Sequence, residues 1–445
     1  MAHSLKKIAH WIDALNSPEG SVSGFAFDSR EVQRGDLFFA LDGQKVNGHA
    51  FLGEVARKGG RAAVVLEDYQ GPDHGLALLK VPDVTLALQQ AAKERLGELH
   101  CQVAAITGSV GKTTTKEFAA QLLSGTYRVH APRNSFNTQV GLPLTILQAP
   151  NNCEVLILEM GMSERGNIAR LLEIAAPDIA LLTTIDYVHS AFFGSLEEIA
   201  MEKAMIFSHS ITGQGLVCAD IPLLEEVMGF GSCPKRTFST RNGADLTLQI
   251  GEGRVTPIVE GRPQPPCPWT LPCRHNLDNF LAAASLCTAL DLPWEAIAAR
   301  SATLKLPKMR FEQSDKGGVT VINDAYNACA RSMCAALDSL PAPKPGGRRI
   351  AVLGGMRELG TQEGPLHRQV AEHALGRIDG VLLVGKEWAG LEAMLGDKLL
   401  GTAASSEELL PILERHIQRG DVLLVKGSRS YALERVVDNY PGPRR

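Results

Sequence analysis

The sequence predicts an α/β protein of three domains, and three observations predict it. Short apolar runs alternate with helix-length stretches along most of the chain, the pattern of strands joined by helices. A glycine-rich turn, Thr107-Gly-Ser-Val-Gly-Lys-Thr113, separates an apolar run from a helical one. Polar clusters recur just after the apolar runs, where open α/β sheets hold ligands. A length of 445 residues fits about two to four domains. Hydrophobic content of 44% and charged content of 21% are ordinary for a globular enzyme. A net charge of -4 gives no basis for nucleic-acid binding. No apolar run reaches the ~18 residues of a membrane span, and the start of the chain lacks the apolar core of a secretory signal. The 9 cysteines are odd in number and scattered, without a Cys-x-x-Cys pair. They read as reduced thiols of a cytoplasmic protein, not as a zinc site.

Residues 1–84 predict the first domain, a small α/β unit. Phe25-Ala-Phe27, Leu37 to Leu41, Ala62 to Leu66 and Leu76 to Val81 are its strands, and Phe51 to Lys58 its helix, stopped by Gly59-Gly60. Polar loops at strand ends, Asp28-Ser29-Arg30 and Gly43 to His49, are candidate ligand contacts. Arg30 offers the paired donors that suit a phosphate or carboxylate.

Residues 85–312 predict a nucleotide domain with a mostly parallel sheet. A helix over 85–100 leads to the strand Val103 to Ile106, the glycine turn, and a helix over 113–123. Strand, glycine loop, helix is the setting of a phosphate loop. Gly108 and Gly111 let the backbone approach phosphate oxygens, with Ser109 and Val110 between them, and the first amides of the helix face the anion. In that setting Lys112 would neutralise the β and γ phosphates, and the Thr113 hydroxyl would hold Mg²⁺. Ile106 stands where the strict pattern has glycine. Glu159 ends the strand from Cys153, and His189 follows the strand from Asp178 to Ile185; both are candidate metal ligands. Ser195 and Glu198 predict a capping box. On the helix that follows, Lys203 falls on the stripe of Leu196, Ile199 and Phe207, the face that should be buried. A buried lysine needs an anionic partner, a route to the surface, or chemical change. Residues 246–250 and 255–259 predict a small antiparallel patch. Asn276 and Asn279 share a helical face, and paired amides can read an adenine edge or simply cap the helix. Arg310 closes the domain as a candidate phosphate or ribose contact.

Residues 313–445 alternate strand and helix cleanly and predict a Rossmann-like C-terminal domain. Its strands are Val319 to Ile322, Ile350 to Leu353, Val381 to Val384 and Val422 to Val425; its helices cover 332–340, 367–375, 387–395, 405–417 and 431–439. Asp324-Ala-Tyr326-Asn327, Gly354 to Gly360 and Lys426-Gly-Ser428-Arg429 follow the strands and predict one surface facing the nucleotide domain.

These stretches together resemble the Mur ligase family, ATP-dependent enzymes that build the peptide of the peptidoglycan precursor. Thr107 to Glu117, Asn134 to Thr145, Glu159-Met-Gly-Met162, Asp324 to Asn327, Leu353 to Gly360 and Lys426 to Arg429 carry the resemblance across all three domains. It implies a ligase with ATP, two Mg²⁺ ions, and carbon dioxide held as a carbamate on Lys203. The implied partners are UDP-N-acetylmuramoyl-tripeptide and D-alanyl-D-alanine, the implied location the cytoplasm, and the implied state a monomer. Lys112, His189 and Lys203 carry catalysis in this reading. Gly108 to Thr114, Asn276, Asn279, Arg310 and Asp324 hold ATP, while Thr113, Glu159, His189 and carbamylated Lys203 hold metal. The uridine nucleotide falls to Ser29, Arg30, Gly43, Asn47 and His49. The amine substrate falls to Tyr326, Asn327, Lys426, Ser428 and Arg429. The chain departs from the family at Asp186, at Ser190-Ala191, at Asn323, at Cys329-Ala330, and at Gly355, which replaces an Asp. A sibling ligase with another acceptor, folylpolyglutamate synthase and a phosphate-loop switch protein are the competing readings.

Overall fold

The structure is a computed structural model and describes residues 2–43, 46–133, 135–188, 190–241 and 243–443. In the first domain, β1 (Gly24–Ala26), β2 (Asp36–Phe39), β3 (Ala62–Leu66) and β4 (Ala77–Val81) pair in parallel, in chain order. Alternate side chains leave opposite faces of a strand. Phe25, Leu37, Phe39, Val64 and Leu79 accordingly join one core with α1 (Leu5–Trp11) and α3 (Val84–Glu98), while Phe38, Ala63 and Val65 pack with Leu52 and Val55 of α2 (Leu52–Arg57). The Asp83 carboxylate caps α3 by accepting from the amides of Thr85 and Leu86 at 2.7 and 2.9 Å.

The central sheet contains β5 (Gln102–Thr107), β6 (Val129–His130), β7 (Val155–Glu159), β8 (Ile179–Leu182), β9 (Gln214–Cys218), β10 (Lys235–Ser239), β11 (Leu246–Gly251) and β12 (Arg254–Val259). Their spatial order is β6-β7-β5-β8-β9-β10-β11-β12, parallel up to β11, with β11 and β12 forming the expected antiparallel patch. The chain leaves β5 toward β7 on one side and later places β8 on the other. That is a topological switch point, and it opens a crevice beyond the carboxyl end of β5. The neighbouring helices are α4 (Lys112–Leu123), α5 (Gly141–Leu147), α6 (Asn167–Ile174), α7 (Leu196–Ala204) and α8 (His275–Ala289). The core shared by the first two domains runs from Leu5 to Leu304.

The C-terminal sheet holds β13 (Glu312–Lys316), β14 (Val319–Asn323), β15 (Arg349–Gly354), β16 (Gly380–Val384), β17 (Leu399–Ala403) and β18 (Val422–Lys426), in the order β13-β14-β18-β15-β16-β17. All pairs are parallel except β13 with β14. Each face has its own core, under α9 (Ala330–Asp338) and α10 (Glu363–Leu375) on one side and α11 (Ser406–His416) and α12 (Glu434–Asn439) on the other. Two expected helices are shorter. The stretch 387–395 divides into a 3₁₀ turn, Lys386–Trp388, and a single turn, Glu392–Leu395, because Gly390 between them has φ +84°. The last helix starts at Glu434 instead of Tyr431, because Ala432 is left-handed at φ +47°. Among the described residues no helix is long and apolar enough to cross a membrane.

Candidate active site

The loop after β5 turns at Gly108 (φ +145°) and Gly111 (φ +90°). A Cβ on the first would collide with Thr183 Oγ1, and on the second with Asn279 Oδ1. Both positions therefore require glycine, for backbone angle and for space. Ile106 is a fully buried strand residue paired with Glu159, and the turn begins two residues later, so no glycine is needed there. The exit of β8 fixes the loop: the amides of Ser109 and Val110 donate to Thr184 at 2.8 and 2.9 Å. The amides of Lys112, Thr113 and Thr114 fall in the first turn of α4, where a helix offers them no acceptor. They form the anion-binding end of that helix. The Lys112 ammonium donates to the Gly108 carbonyl at 2.7 Å. Burial pushes its pKa down, and Glu159 opposes the shift.

Glu159 is 1% exposed at the end of β7. Its carboxylate accepts from Thr113 Oγ1 at 3.0 Å and from Asn137 Nδ2 at 2.8 Å, and Ser135 Oγ lies 2.8 Å from the same Thr113 oxygen. Hydroxyl and carboxylate oxygens suit a hard cation. Among the described residues there is no group of three His, Cys, Asp or Glu able to hold a metal. The oxygen donors of Thr113 and Glu159 fit Mg²⁺ completed by phosphate and water. His189 lies outside the described residues.

Three cavities meet here, and Val188 lines all of them. The first, about 350 Å³, is bounded by Lys112, Glu159, Asn276, Asn279, Arg310 and Asp324. The second, about 340 Å³, shares Ser109, Lys112 and Asn137 with the first and reaches Lys203. The third, about 440 Å³, shares Asn327, Ala328 and Cys329 with the first and extends to Ser428, Arg429 and Arg357.

Lys203 is 2% exposed, on the buried face as the spacing of α7 predicts. Burial drives its pKa well below the usual lysine range, the nearby Lys112 charge adds to this, and Glu202 partly opposes it. Among the described residues Glu202 makes no ion pair with it; the Glu202 oxygens accept from the amides of Gly166 and Ile168 at 2.8 and 2.9 Å. Ser195 caps α7 at 3.3 Å, but Glu198 closes on the amide of Gly194 instead of the cap residue.

Asn276 and Asn279 lie inside α8 and not at its cap, which is Arg274. Both are buried and face the first cavity; Asn276 donates to the Pro272 carbonyl at 2.7 Å and accepts from Asn279 at 3.3 Å. Arg310 joins the central and C-terminal domains: its guanidinium stacks 4.2 Å over the Tyr326 ring and donates to Thr113 Oγ1 at 3.3 Å. Met309 and Phe311 beside it both have φ +57°. The Phe311 amide donates to Asp324 Oδ1 at 3.1 Å, and the buried Lys426 ammonium meets Asp324 Oδ2 at 2.7 Å. The C-terminal domain also touches the central one where Ser190 Oγ donates to the Leu359 carbonyl at 3.0 Å.

The N-terminal candidates do not line these cavities. Ser29 donates to Glu54 at 3.1 Å, and the Arg30 fork is closed on Asp28 at 2.6 Å. Asn47 accepts from His49 at 2.8 Å, while His49 Nε2 accepts from the Leu66 amide at 3.1 Å. Gly43 donates to the Val46 carbonyl at 3.1 Å. The Phe27 and Phe136 rings, 5.8 Å apart, place that sheet end beside the loop that carries Ser135 and Asn137. Sequence reasoning missed Ser135, Asn137, Thr183 and Arg357 as separate contacts. The first two lie within the Asn134 to Thr145 stretch that carries the family resemblance.

Residues 106–287 match the Mur ligase middle domain, and residues 309–429 match the Mur ligase, glutamate ligase domain. The chain belongs to the Mur ligase family, ATP-dependent enzymes that form C–N bonds. It is 34% identical over 430 residues to the UDP-N-acetylmuramoyl-tripeptide--D-alanyl-D-alanine ligase of Bacillus subtilis (strain 168), covering 94% of this chain and 92% of the relative. The enzyme of the same name from Escherichia coli (strain K12) is 33% identical over 448 residues, covering 95% and 94%. Among solved structures, the MurF ligase of Thermotoga maritima in complex with ADP is 30% identical with a TM-score of 0.78, covering 94% of this chain and 97% of that one. A MurF from Acinetobacter baumannii, 24% identical, has a TM-score of 0.84 and covers 99% of both chains, a likeness of fold that bears out the three-domain α/β expectation.

Proposed function

We propose that this chain joins D-alanyl-D-alanine to UDP-N-acetylmuramoyl-tripeptide in cytoplasmic peptidoglycan precursor synthesis, cleaving ATP to ADP and phosphate. One observation carries the reading: three cavities meet at Val188, and Lys112 stands between the first two. A phosphoryl donor, an acid and an amine each have a separate approach to one point. Similarity over 94% of the chain to relatives bearing that name supports the choice of substrates.

Carboxylate and amine do not condense in water, because hydroxide is a poor leaving group. In this scheme the tripeptide carboxylate attacks the γ-phosphorus, the bond to ADP breaks, and an acyl phosphate forms. The neutral amine of the dipeptide attacks the acyl carbon, the bond to phosphate breaks, and the nitrogen gives up a proton. Lys112 and the amides opening α4 draw charge from the phosphates, and Arg310 fastens the C-terminal domain over them. That cover keeps water from the reacting carbon. Asn276 and Asn279 read the adenine, and Asp324 completes the nucleotide wall. Ser29, Arg30, Gly43, Asn47 and His49 receive the uridine nucleotide, and Tyr326, Asn327, Lys426, Ser428 and Arg429 the amine substrate. Thr113 and Glu159, with His189, would hold Mg²⁺, which supplies charge neutralisation at the phosphates. Lys203 as a carbamate would hold a second ion, and its burial favours the neutral amine that adds carbon dioxide. The reading takes the enzyme as a monomer, as the resemblance implies.

The test is phosphate release with the UDP-linked tripeptide, with D-alanyl-D-alanine, and with both. Sustained turnover is expected only with both; equal release with neither overturns the reading.

A further inference from the structure

The third cavity contains a guanidinium, within the Leu353 to Gly360 stretch, to which neither the proposed mechanism nor the site residues implied by the resemblance give a role. Arg357 follows β15, and two side chains hold it. Its Nη1 lies 2.6 Å from Glu387 Oε1, and its Nη2 donates to the Tyr431 hydroxyl at 2.8 Å. Tyr431 in turn donates to Glu387 Oε2, closing a triangle, and the tyrosine ring lies 4.8 Å from the guanidinium carbon. The Glu387 side chain is 0% exposed, whereas that of Arg357 is 41% exposed. Gly355 explains how the carboxylate gets there, since a Cβ at that position would collide with Glu387 Oε2. The chain lacks the family's Asp at 355 and brings a carboxylate into the same space from beyond β16.

We propose that Arg357 binds the terminal carboxylate of the dipeptide substrate and so selects acceptors that end in a free acid. This rests on the function proposed above. A dipeptide must present its amine to the acyl phosphate, at the wall of Asn327, Ala328 and Cys329 shared with the ATP cavity. Its carboxylate then falls toward the part of the third cavity that is not shared. Two guanidinium groups border that part. Arg429 pairs with Glu434 at 2.8 Å and lies 6.0 Å from the ring of Tyr326, which itself lines the ATP cavity. Arg357 is anchored on Glu387 and Tyr431, which line neither cavity. One N–H of Arg357 is donated to Tyr431 and the charge pair with Glu387 fixes the Nη1 side; among the described residues its other N–H groups have no hydrogen-bond partner and can grip a carboxylate in a fixed orientation. Glu387 and Tyr431 are positioning residues, since they set the plane of the fork and touch no substrate.

The experiment compares D-alanyl-D-alanine with D-alanyl-D-alanine amide in the full-length enzyme, with the UDP-linked tripeptide and ATP present. The unaltered enzyme should prefer the acid. Arg357→Ala should raise KM for the acid about 10- to 100-fold, the cost of a lost charged hydrogen bond, with KM for ATP unchanged. It should also abolish the preference for acid over amide. Arg357→Lys should restore part of that preference, and Tyr431→Phe should weaken it while leaving kcat nearly intact. A KM for the acid within twofold of the unaltered enzyme, or an undiminished preference in Arg357→Ala, overturns the assignment. Should that variant fail to fold, an undiminished preference in Arg357→Lys overturns it instead. Failure of the unaltered enzyme to use the dipeptide at all refutes the proposed function and this assignment together.

Discussion

Replacing Lys426 with Met tests how the C-terminal domain is fixed beside the nucleotide. Lys426 and Asp324 form an ion pair at 2.7 Å with side chains only 4% and 11% exposed. Without the ammonium, Asp324 keeps the Phe311 amide at 3.1 Å and little else to offset a buried charge. Breaking a buried pair from one side costs about 3–5 kcal/mol. Replacing both partners with neutral groups, as Asp324→Asn with Lys426→Met, should cost far less, so the two changes should couple by about 2 kcal/mol or more. The assay is hydrogen exchange at the amides of Ile322, Asn323, Leu424 and Val425, which sit in the β14–β18 ladder. Exchange reports the free energy of local opening. We expect the single variant to lose most of its protection there and the double variant to regain it, with ligation lost in both. Unchanged protection in the single variant, or strictly additive losses in the double, refutes the reasoning.

Gly111→Ala should lower stability by about 1–2 kcal/mol from the left-handed backbone alone, and should weaken ATP binding because the new methyl displaces Asn279; an unaltered ATP affinity would contradict the loop geometry. His275, whose pKa burial lowers from 6.5 to about 4, is neutral in the fold, so the unfolded chain takes up its proton first as the pH drops below 6.5. It should therefore remove about 2 kcal/mol of stability between pH 7 and 5, and His275→Gln should show that much less loss in urea unfolding at the two pH values. Lys203→Ala should reduce ligation at least about 100-fold, in the range of lost electrostatic stabilisation, with partial recovery in bicarbonate or acetate; full activity in the variant would discard the carbamate.

The phosphate loop, Glu159, the burial of Lys203 and the parallel C-terminal strands were legible because each follows from local pattern. Lys203 is the clearest case, since helical spacing alone places it inward. The strands β13 and β17 were not legible. β13 reads Glu-Gln-Ser-Asp-Lys, with four of its five residues exposed, and it exists only because an edge of the sheet accepts it. The Glu387–Tyr431–Arg357 triangle joins residues 74 apart in sequence between Arg357 and Tyr431, and no local signal reports such a meeting. The N-terminal candidates lie in the strand-end loops expected, but the partners that occupy them, Glu54 for Ser29 and Leu66 for His49 among them, could not be read from composition. Arg30, read as an open fork for an anion, is instead occupied by Asp28, two residues away.

The apolar interior that begins at Leu5 ends at Leu304, and the last sheet has two interiors of its own, with Leu306 packed against both regions. The remaining links across that seam described above are polar, and they cluster where the reactants converge. The chain is thus assembled like a vise with one fixed jaw, made of two fused units, and one exchangeable jaw. On the function proposed above, transplanting the segment beyond residue 312 from another member of the family should alter which amine is gripped, while the machinery that activates the acid stays with the host.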